Sequence, residues 1–326
     1  MKPITFVRPA DTRAASAAAA ATGACFHAGG TTLVDLMRLE VMSPTTVVDL
    51  GRLPLAAIER RGDGLRIGAM ARNADVANHA VVVERYPLLA QAIAAGASQQ
   101  VRNMATVGGN LLQRTRCPYF RDLGVACNKR TPGAGCSALD GFTRSHAVLG
   151  TSASCIATHP SDMCVALAAL DAVVHTRNGD RTRAIPLGEL HTLPGDHPEI
   201  EHVLEPGELI THVDLPASPF AAHARYVKVR DRAAFAFALA AAGVGLDLAD
   251  GRIRGARIAL GGVATKPWRA LEAEQVLVGQ LPGRAIFERA AAAALAGAKP
   301  RRDNAFKVQL AQRTVVRALE LASGVS

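Results

Sequence analysis

The sequence predicts an α+β protein in two parts, an amino-terminal part of short strands and helices followed by an antiparallel three-stranded sheet with a three-helix layer. Three observations predict it. A strand, a glycine loop and a helix succeed one another over residues 25–40; two hairpin dipeptides, Asn178-Gly179 and Asp250-Gly251, sit between apolar runs; and the region after residue 266 carries three stretches of helical periodicity. At 326 residues, 49% hydrophobic and 20% charged, the chain has apolar material for more than one core and is not of disordered composition.

Each element has a local reason. Asp11 or Thr12 caps an alanine-rich helix that Gly23 ends after Thr22. Residues 25–28 then read as a strand, Gly29-Gly30-Thr31-Thr32 as a tight loop, residues 33–40 as a helix and residues 46–50 as a buried strand. Glycines let backbone approach a ligand, and successive N–H groups before a helix make a nest for an anion, although Gly-Gly also makes ordinary turns. Residues 65–70 alternate as a strand, and Asn73 caps a helix over residues 74–95 in which Pro87 is a kink or a break. A second glycine turn follows at Thr106-Val107-Gly108-Gly109-Asn110. His159-Pro160-Ser161-Asp162 caps a helix to Leu170, residues 172–185 form a hairpin, and residues 207–215 a strand ending at Pro216. Beyond it, strands are predicted at 226–229, 235–248 and 253–260, and helices at 267–278, 284–296 and 303–322. The boundary falls in residues 217–222, giving domains 1–218 and 219–326.

Several functions are excluded by what is missing. There is no Gly-x-Ser-x-Gly elbow, Walker loop, Gly-x-Gly-x-x-Gly fingerprint or His-Glu-x-x-His helix. The longest apolar stretch, residues 233–246, is too short to span a bilayer. Residues 1–10 lack an apolar region and a twin-arginine pair, so the chain is expected to carry no export signal of its own.

Cysteine is clustered. Of six cysteines, Cys117, Cys127, Cys136 and Cys155 fall within one 39-residue window, the first three among Arg, Pro, Gly and Asn as in a loop. Disulfides are disfavoured in a large chain with an ample core, and burial as small apolar residues suits Cys25 and Cys164 better than these four. Metal ligation remains. Zinc modules usually carry a Cys-x₂₋₄-Cys pair, absent here, and the common ferredoxin spacing is absent too, so spacing leaves zinc and an iron–sulfur cluster both open. Local charge favours an anionic cluster: residues 102–146 hold seven Arg and Lys against Asp122 and Asp140, within a chain of net charge +9.

Three segments together, Phe26-His27-Ala28-Gly29-Gly30-Thr31-Thr32-Leu33, Thr106-Val107-Gly108-Gly109-Asn110 and Pro160-Ser161-Asp162, closely resemble the FAD-binding subunits of molybdenum hydroxylases, over essentially the whole chain. The resemblance implies a two-part FAD-binding domain of the vanillyl-alcohol-oxidase-like (PCMH) type and a flavoprotein C-terminal domain. It implies that residues 26–33 cradle the pyrophosphate of FAD through the amides of Gly29, Gly30, Thr31 and Thr32. Thr106, Gly109 and Asn110 match the second flavin-contacting turn, Asp162 an acidic residue near the ribityl or adenosine part, and Ile210 and Lys228 positions beside the adenine and the isoalloxazine. Residues 113–156 resemble the insertion of the aldehyde oxidoreductase branch, which implies a [4Fe–4S] cluster on Cys117, Cys127, Cys136 and Cys155. Cys164 matches no role and is expected to be a buried helix residue.

The function implied is electron transfer: from a molybdenum-cofactor-binding large subunit and a [2Fe–2S] small subunit, through FAD, to an external acceptor, in a complex acting on aldehydes or related aromatic substrates. No residue of this chain is then expected to act on substrate. Similarity also implies a periplasmic location reached by co-export with a signal-bearing partner; the chain alone reads as cytoplasmic. Two alternatives differ in class. A zinc-stabilised nucleic-acid-binding protein is opposed by the missing short Cys pair and by a basic stretch poor in aromatics, with Tyr119 and Phe120 the ones placed to stack, so no nucleic acid is expected. A self-contained flavin oxidase is opposed by the small C-terminal layer, which is short for a substrate cap.

Overall fold

A computed structural model describes residues 2–325; Met1 and Ser326, the outer limits of the two expected domains, lie outside the described residues. The first layer contains β1 (Thr5–Val7), α1 (Thr12–Ala19), β2 (Ala24–His27), α2 (Leu33–Arg38) and β3 (Thr46–Asp49). Its sheet is parallel in the order β1-β3-β2. Asp11 caps α1 by accepting the Ala14 amide at 2.8 Å, as the sequence suggests, and the helix stops three residues before the expected Thr22.

The second layer holds β4 (Ile58–Arg61), β5 (Gly64–Gly68), α3 (Asn73–Asn78), α4 (Ala80–Arg85), α5 (Pro87–Ala95), α6 (Gln99–Met104), α7 (Val107–Leu111) and α8 (Pro118–Arg121). After a long loop come α9 (Asp162–Ala169), β6 (Val173–Asn178), β7 (Arg181–Pro186), α10 (Leu187–Leu190) and β8 (Leu209–Leu215). The five strands form an antiparallel sheet in the order β4-β5-β8-β6-β7, and its inner face packs with α5 and α9 into one core. The single helix expected over 74–95 is three: His79 is extended, and Tyr86 leaves helical geometry because it precedes Pro87. The second glycine turn is the start of α7, capped by Thr106, whose hydroxyl accepts the Gly109 amide. Ser161 caps α9 by accepting the Cys164 amide at 3.1 Å.

The last layer starts with a short 3₁₀ turn, Ala221–His223, then β9 (Ala224–Val229), β10 (Ala240–Ala249), β11 (Arg252–Gly261), β12 (Trp268–Arg269), α11 (Leu271–Leu277), α12 (Arg284–Ala294) and α13 (Phe306–Ser323). Three long antiparallel strands and three helices are as expected; a two-residue strand, β12, joins the sheet edge where the sequence reading begins a helix. The strand expected from Phe235 starts only at Ala240, because β9 ends at its partner Val229 and residues 230–239 loop out, with Phe235 at φ +50°. Among the described residues no helix is long and apolar enough to cross a membrane.

Of two buried carboxylates, Glu274 ties the last layer to the second and Glu208 staples the five-stranded sheet. Glu274 of α11 accepts the Ile258 amide at 2.8 Å and the Arg269 guanidinium, which also reaches Asp171 and the Ala168 carbonyl at the end of α9. Arg269→Leu leaves Glu274 buried without its counter-charge and should lower stability by about 3 kcal/mol, read as a fall in melting temperature. Glu208 has a side chain only 1% exposed and binds Arg183, Thr176 and the Glu205 amide. Burial raises its pKa, but those hydrogen bonds outweigh it and hold the carboxyl below the ordinary 4.5. Its contribution is therefore complete above pH 4.5 and lost as pH falls through the lower folded value, so Glu208→Gln should flatten the acid limb of a melting-temperature profile below that pH.

Candidate functional site

The first glycine loop leaves the end of β2 and enters α2. Phe26 and Ala28 pack inward on the core around Ala15, Val48 and Leu50, while His27 stands 3.5 Å from Asp49, so side chains anchor the strand and leave the loop to present backbone. Gly30 has φ +72°, a conformation that disfavours side chains. Gly29 lies against the other glycine segment so closely that a Cβ there would sit 2.0 Å from the Met104 carbonyl oxygen. Among the described residues, no protein acceptor meets the amides of Gly29, Gly30, Thr31 and Thr32. Four donors without protein partners before a helix suit the oxygens of a pyrophosphate.

These loops open on a cleft of about 930 Å³. Thr31, Thr32, Gly109, Asn110 and Asp162 line it together; Thr106 stands behind, as the cap of α7, and Leu33 begins α2. Ser161 joins the walls by donating to Asn110 Oδ1 at 2.7 Å. Asp162 is held from the last layer: Lys228 Nζ lies 2.8 Å from one carboxylate oxygen and the Tyr226 hydroxyl donates to the other at 2.6 Å. Burial, then the Asp162 charge, pushes the Tyr226 hydroxyl well above its ordinary pKa, keeping it a donor. Lys228 is thus placed beneath Asp162 and also donates to the Ala95 carbonyl; neither it nor Ile210, which is buried on β8 in the sheet core, lines the cleft.

Sequence reading missed three parts. Asp35 on the cleft wall binds Arg116 and Arg121, and the Arg121 hydrogen bond holds its carboxyl below the usual range. Tyr226 was findable, since it is two residues from Lys228 on one strand and shares its face. The loop 230–239 brings Phe235 and Phe237 to the mouth, with Arg116 over the Phe237 ring at 5.2 Å.

Cys117, Cys127, Cys136 and Cys155 gather in one cluster with Leu36, Phe120 and Ile156, all as free thiols. Cys127 and Cys136 face each other across an isolated antiparallel bridge. Burial pushes the Cys117 thiol up to about 12 and raises Cys136 and Cys155. Cys117 alone of the four borders the cleft, with its Sγ 3.1 Å from His146 Nε2. Among the described residues no three of these sulfurs lie within 4.8 Å of one another, whereas a single tetrahedral zinc at about 2.3 Å per bond draws them closer. The donor set is four thiols in one apolar cluster, not drawn in to single-ion distances, a set whose chemistry suits a multinuclear cluster more than one ion. The neighbouring cations staple the loop: Arg130 donates to the Tyr119 and Phe120 carbonyls, and Lys129 pairs with Glu201 at 2.8 Å. Cys164 is fully buried in α9.

Residues 2–218 match the family model described as the FAD binding domain in molybdopterin dehydrogenase, and residues 225–322 that of the CO dehydrogenase flavoprotein C-terminal domain. The chain belongs to the FAD-binding subunits of the molybdenum hydroxylases. It is 49% identical over 324 residues, 98% of each chain, to the aldehyde oxidoreductase FAD-binding subunit PaoB of Escherichia coli (strain K12). It is 27% identical to the glyceraldehyde dehydrogenase medium chain of Sulfolobus acidocaldarius, over 78% of this chain and 73% of that one. Carbon monoxide dehydrogenase from Hydrogenophaga pseudoflava has a chain of the same fold, with a TM-score of 0.78, 25% identity and 99% and 98% coverage of this chain and that one. As a member of this family the chain is an oxidoreductase subunit that binds FAD. The unpartnered amides and the cleft supply a place for it.

Gly29→Ala puts a methyl group into the Met104 carbonyl and must move the cradle. With two amide hydrogen bonds lost, at about 1 kcal/mol each, FAD affinity should fall more than tenfold, measured as the flavin-to-protein ratio after dialysis. A normal ratio would place the pyrophosphate elsewhere.

Proposed function

We propose that this chain is the electron-transfer subunit of a molybdenum-containing aldehyde oxidoreductase, binding FAD in the cleft and a [4Fe–4S] cluster on Cys117, Cys127, Cys136 and Cys155. Its partners are then a molybdenum-cofactor-binding large subunit and a [2Fe–2S] small subunit, with an external acceptor reached from the cleft. Export with a signal-bearing partner to the periplasm completes the proposal. The carrying observation is the convergence of four cysteines from a 39-residue window into one largely buried apolar cluster that borders the cleft through Cys117.

Bound there, the two groups supply one-electron relay and the exchange between one- and two-electron carriers. The chain's residues do the rest. The amides of residues 29–32 hold the dianionic pyrophosphate without a side-chain cation. Asp162 is fixed by Lys228 and Tyr226, so its position does not depend on solvent. The apolar shell of Leu36, Phe120 and Ile156 keeps water from the thiolates, while Lys129 and the arginines around them lower the cost of their negative charge.

Cys127 does not border the cleft, so the two sites separate experimentally. Cys127→Ser should lose iron and acid-labile sulfide in anaerobically purified protein while keeping most of its FAD. Unchanged iron and sulfide would remove Cys127 from the ligand set, and their absence from the parent protein would remove the cluster.

A further inference from the structure

A second concentration of ligand-type side chains lies on the outer face of the five-stranded sheet, away from both sites above. His175 on β6 and His212 on β8 are direct cross-strand partners, with rings stacked at 4.3 Å, and Asp214 follows two residues along on the same face. One nitrogen from each histidine and one Asp214 oxygen lie within 4.8 Å of one another, with His175 Nε2 and His212 Nε2 at 3.1 and 3.9 Å from Asp214 Oδ2.

The surrounding hydrogen bonds set what these atoms present. The register slips between His175 and Thr176, leaving Thr211 as the extra residue of a β-bulge, the kind of irregularity that re-aims a neighbouring side chain. The Thr211 hydroxyl donates its hydrogen to the His175 carbonyl at 3.2 Å and so receives the His212 Nδ1 hydrogen at 2.9 Å. That tautomer leaves His212 Nε2 as a bare lone pair, shielded from solvent, without a hydrogen-bond partner and facing a carboxylate. His212 Nε2 and Asp214 Oδ2 stand 3.9 Å apart, a spacing at which one cation can touch both. Arg66 holds Asp214 from the other side through paired hydrogen bonds of 2.8 and 2.7 Å, fixing the carboxylate while Oδ2 keeps a second lone pair for the site.

We propose that His175, His212 and Asp214 bind one divalent transition-metal cation of the zinc class, with two imidazole nitrogens and one carboxylate oxygen as ligands and water completing the shell. Mixed nitrogen and oxygen donors select zinc, copper or nickel over calcium or magnesium. The trio is a quarter exposed, so the two stacked imidazoles can turn about their side-chain bonds to admit a cation from solvent while the strands stay in place. Arg66 offsets the charge of Asp214, which makes this an exchangeable surface site rather than one on which folding depends.

Isothermal titration of the untagged full-length flavoprotein with Zn²⁺ tests it. The parent should take up one equivalent more than the His175→Gln/His212→Gln double variant, and Asp214→Asn should weaken that equivalent about tenfold or more. Equal uptake by parent and double variant, with flavin content and melting temperature preserved, overturns the site. A measurement free of variants is Cu²⁺ electron paramagnetic resonance on the parent at one equivalent: splitting from two nitrogens supports the site, and its absence overturns it.

Discussion

The functional cleft depends on one close approach, that of Gly29 to the backbone at Met104. The two glycine segments are more than 70 residues apart in sequence, on a three-stranded parallel layer and on helices of the antiparallel layer. They meet with no room for a Cβ between them, which fixes the loop whose last residues, Thr31 and Thr32, line the cleft. Backbone amides before a helix, held in place by such a contact, can meet an anion through oriented dipoles beside the arginines that line the cleft. Such a site is sensitive to loop position and insensitive to the identity of exposed residues around it.

Much of this was legible because it is local. Asp11 and Ser161 are capping residues, and each caps the helix that follows it, whereas the segment after Thr106 reads as a turn and is a short helix. The hairpin expected around Asn178-Gly179 forms one residue on: Asn178 pairs with Arg181, and Gly179-Asp180 is the turn, with Gly179 at φ +61° in its first position. The cysteine cluster was legible from density alone, since chance would not crowd four of six thiols into one loop. What was not legible needs partners distant in sequence. The polar edge strand β4, Ile-Glu-Arg-Arg, has no alternating apolar face, and it is a strand because β5 offers it a ladder. Residues 235–239 have strand composition but no partner to pair with, so pairing overrode propensity. Asp35 acquires its role only when α2 meets Arg116 and Arg121, a contact over 80 residues.

The basic stretch shows the same lesson for charge. Its excess of Arg and Lys suggests a surface for an acidic partner, yet Arg114 and Lys129 close on Glu201, Arg116 and Arg121 on Asp35, and Arg130 on three backbone carbonyls. Net charge along the sequence was therefore a guide to internal stapling of a long loop with little regular structure. A loop of this length carries many backbone groups that need partners, and arginine, with five donors, meets several carbonyls at once.

The C-terminal layer is also more than an appendage to the flavin domain. The Val148 and Leu149 amides bond to the Val263 carbonyl and their side chains enter the C-terminal core. Asn304 and Lys307, both fully buried at the start of α13, donate to the carbonyl of His146, the residue that touches Cys117. Lys228 and Tyr226 reach the other way, from β9 to Asp162 under the cleft. The layer thus grips both the cysteine loop and the flavin floor. Because Lys307 is buried with carbonyls and no carboxylate, it is held by geometry that only the docked layer provides. Burial and the Arg144 charge bring its pKa down to about 7, so its charged form is barely stabilised near neutrality.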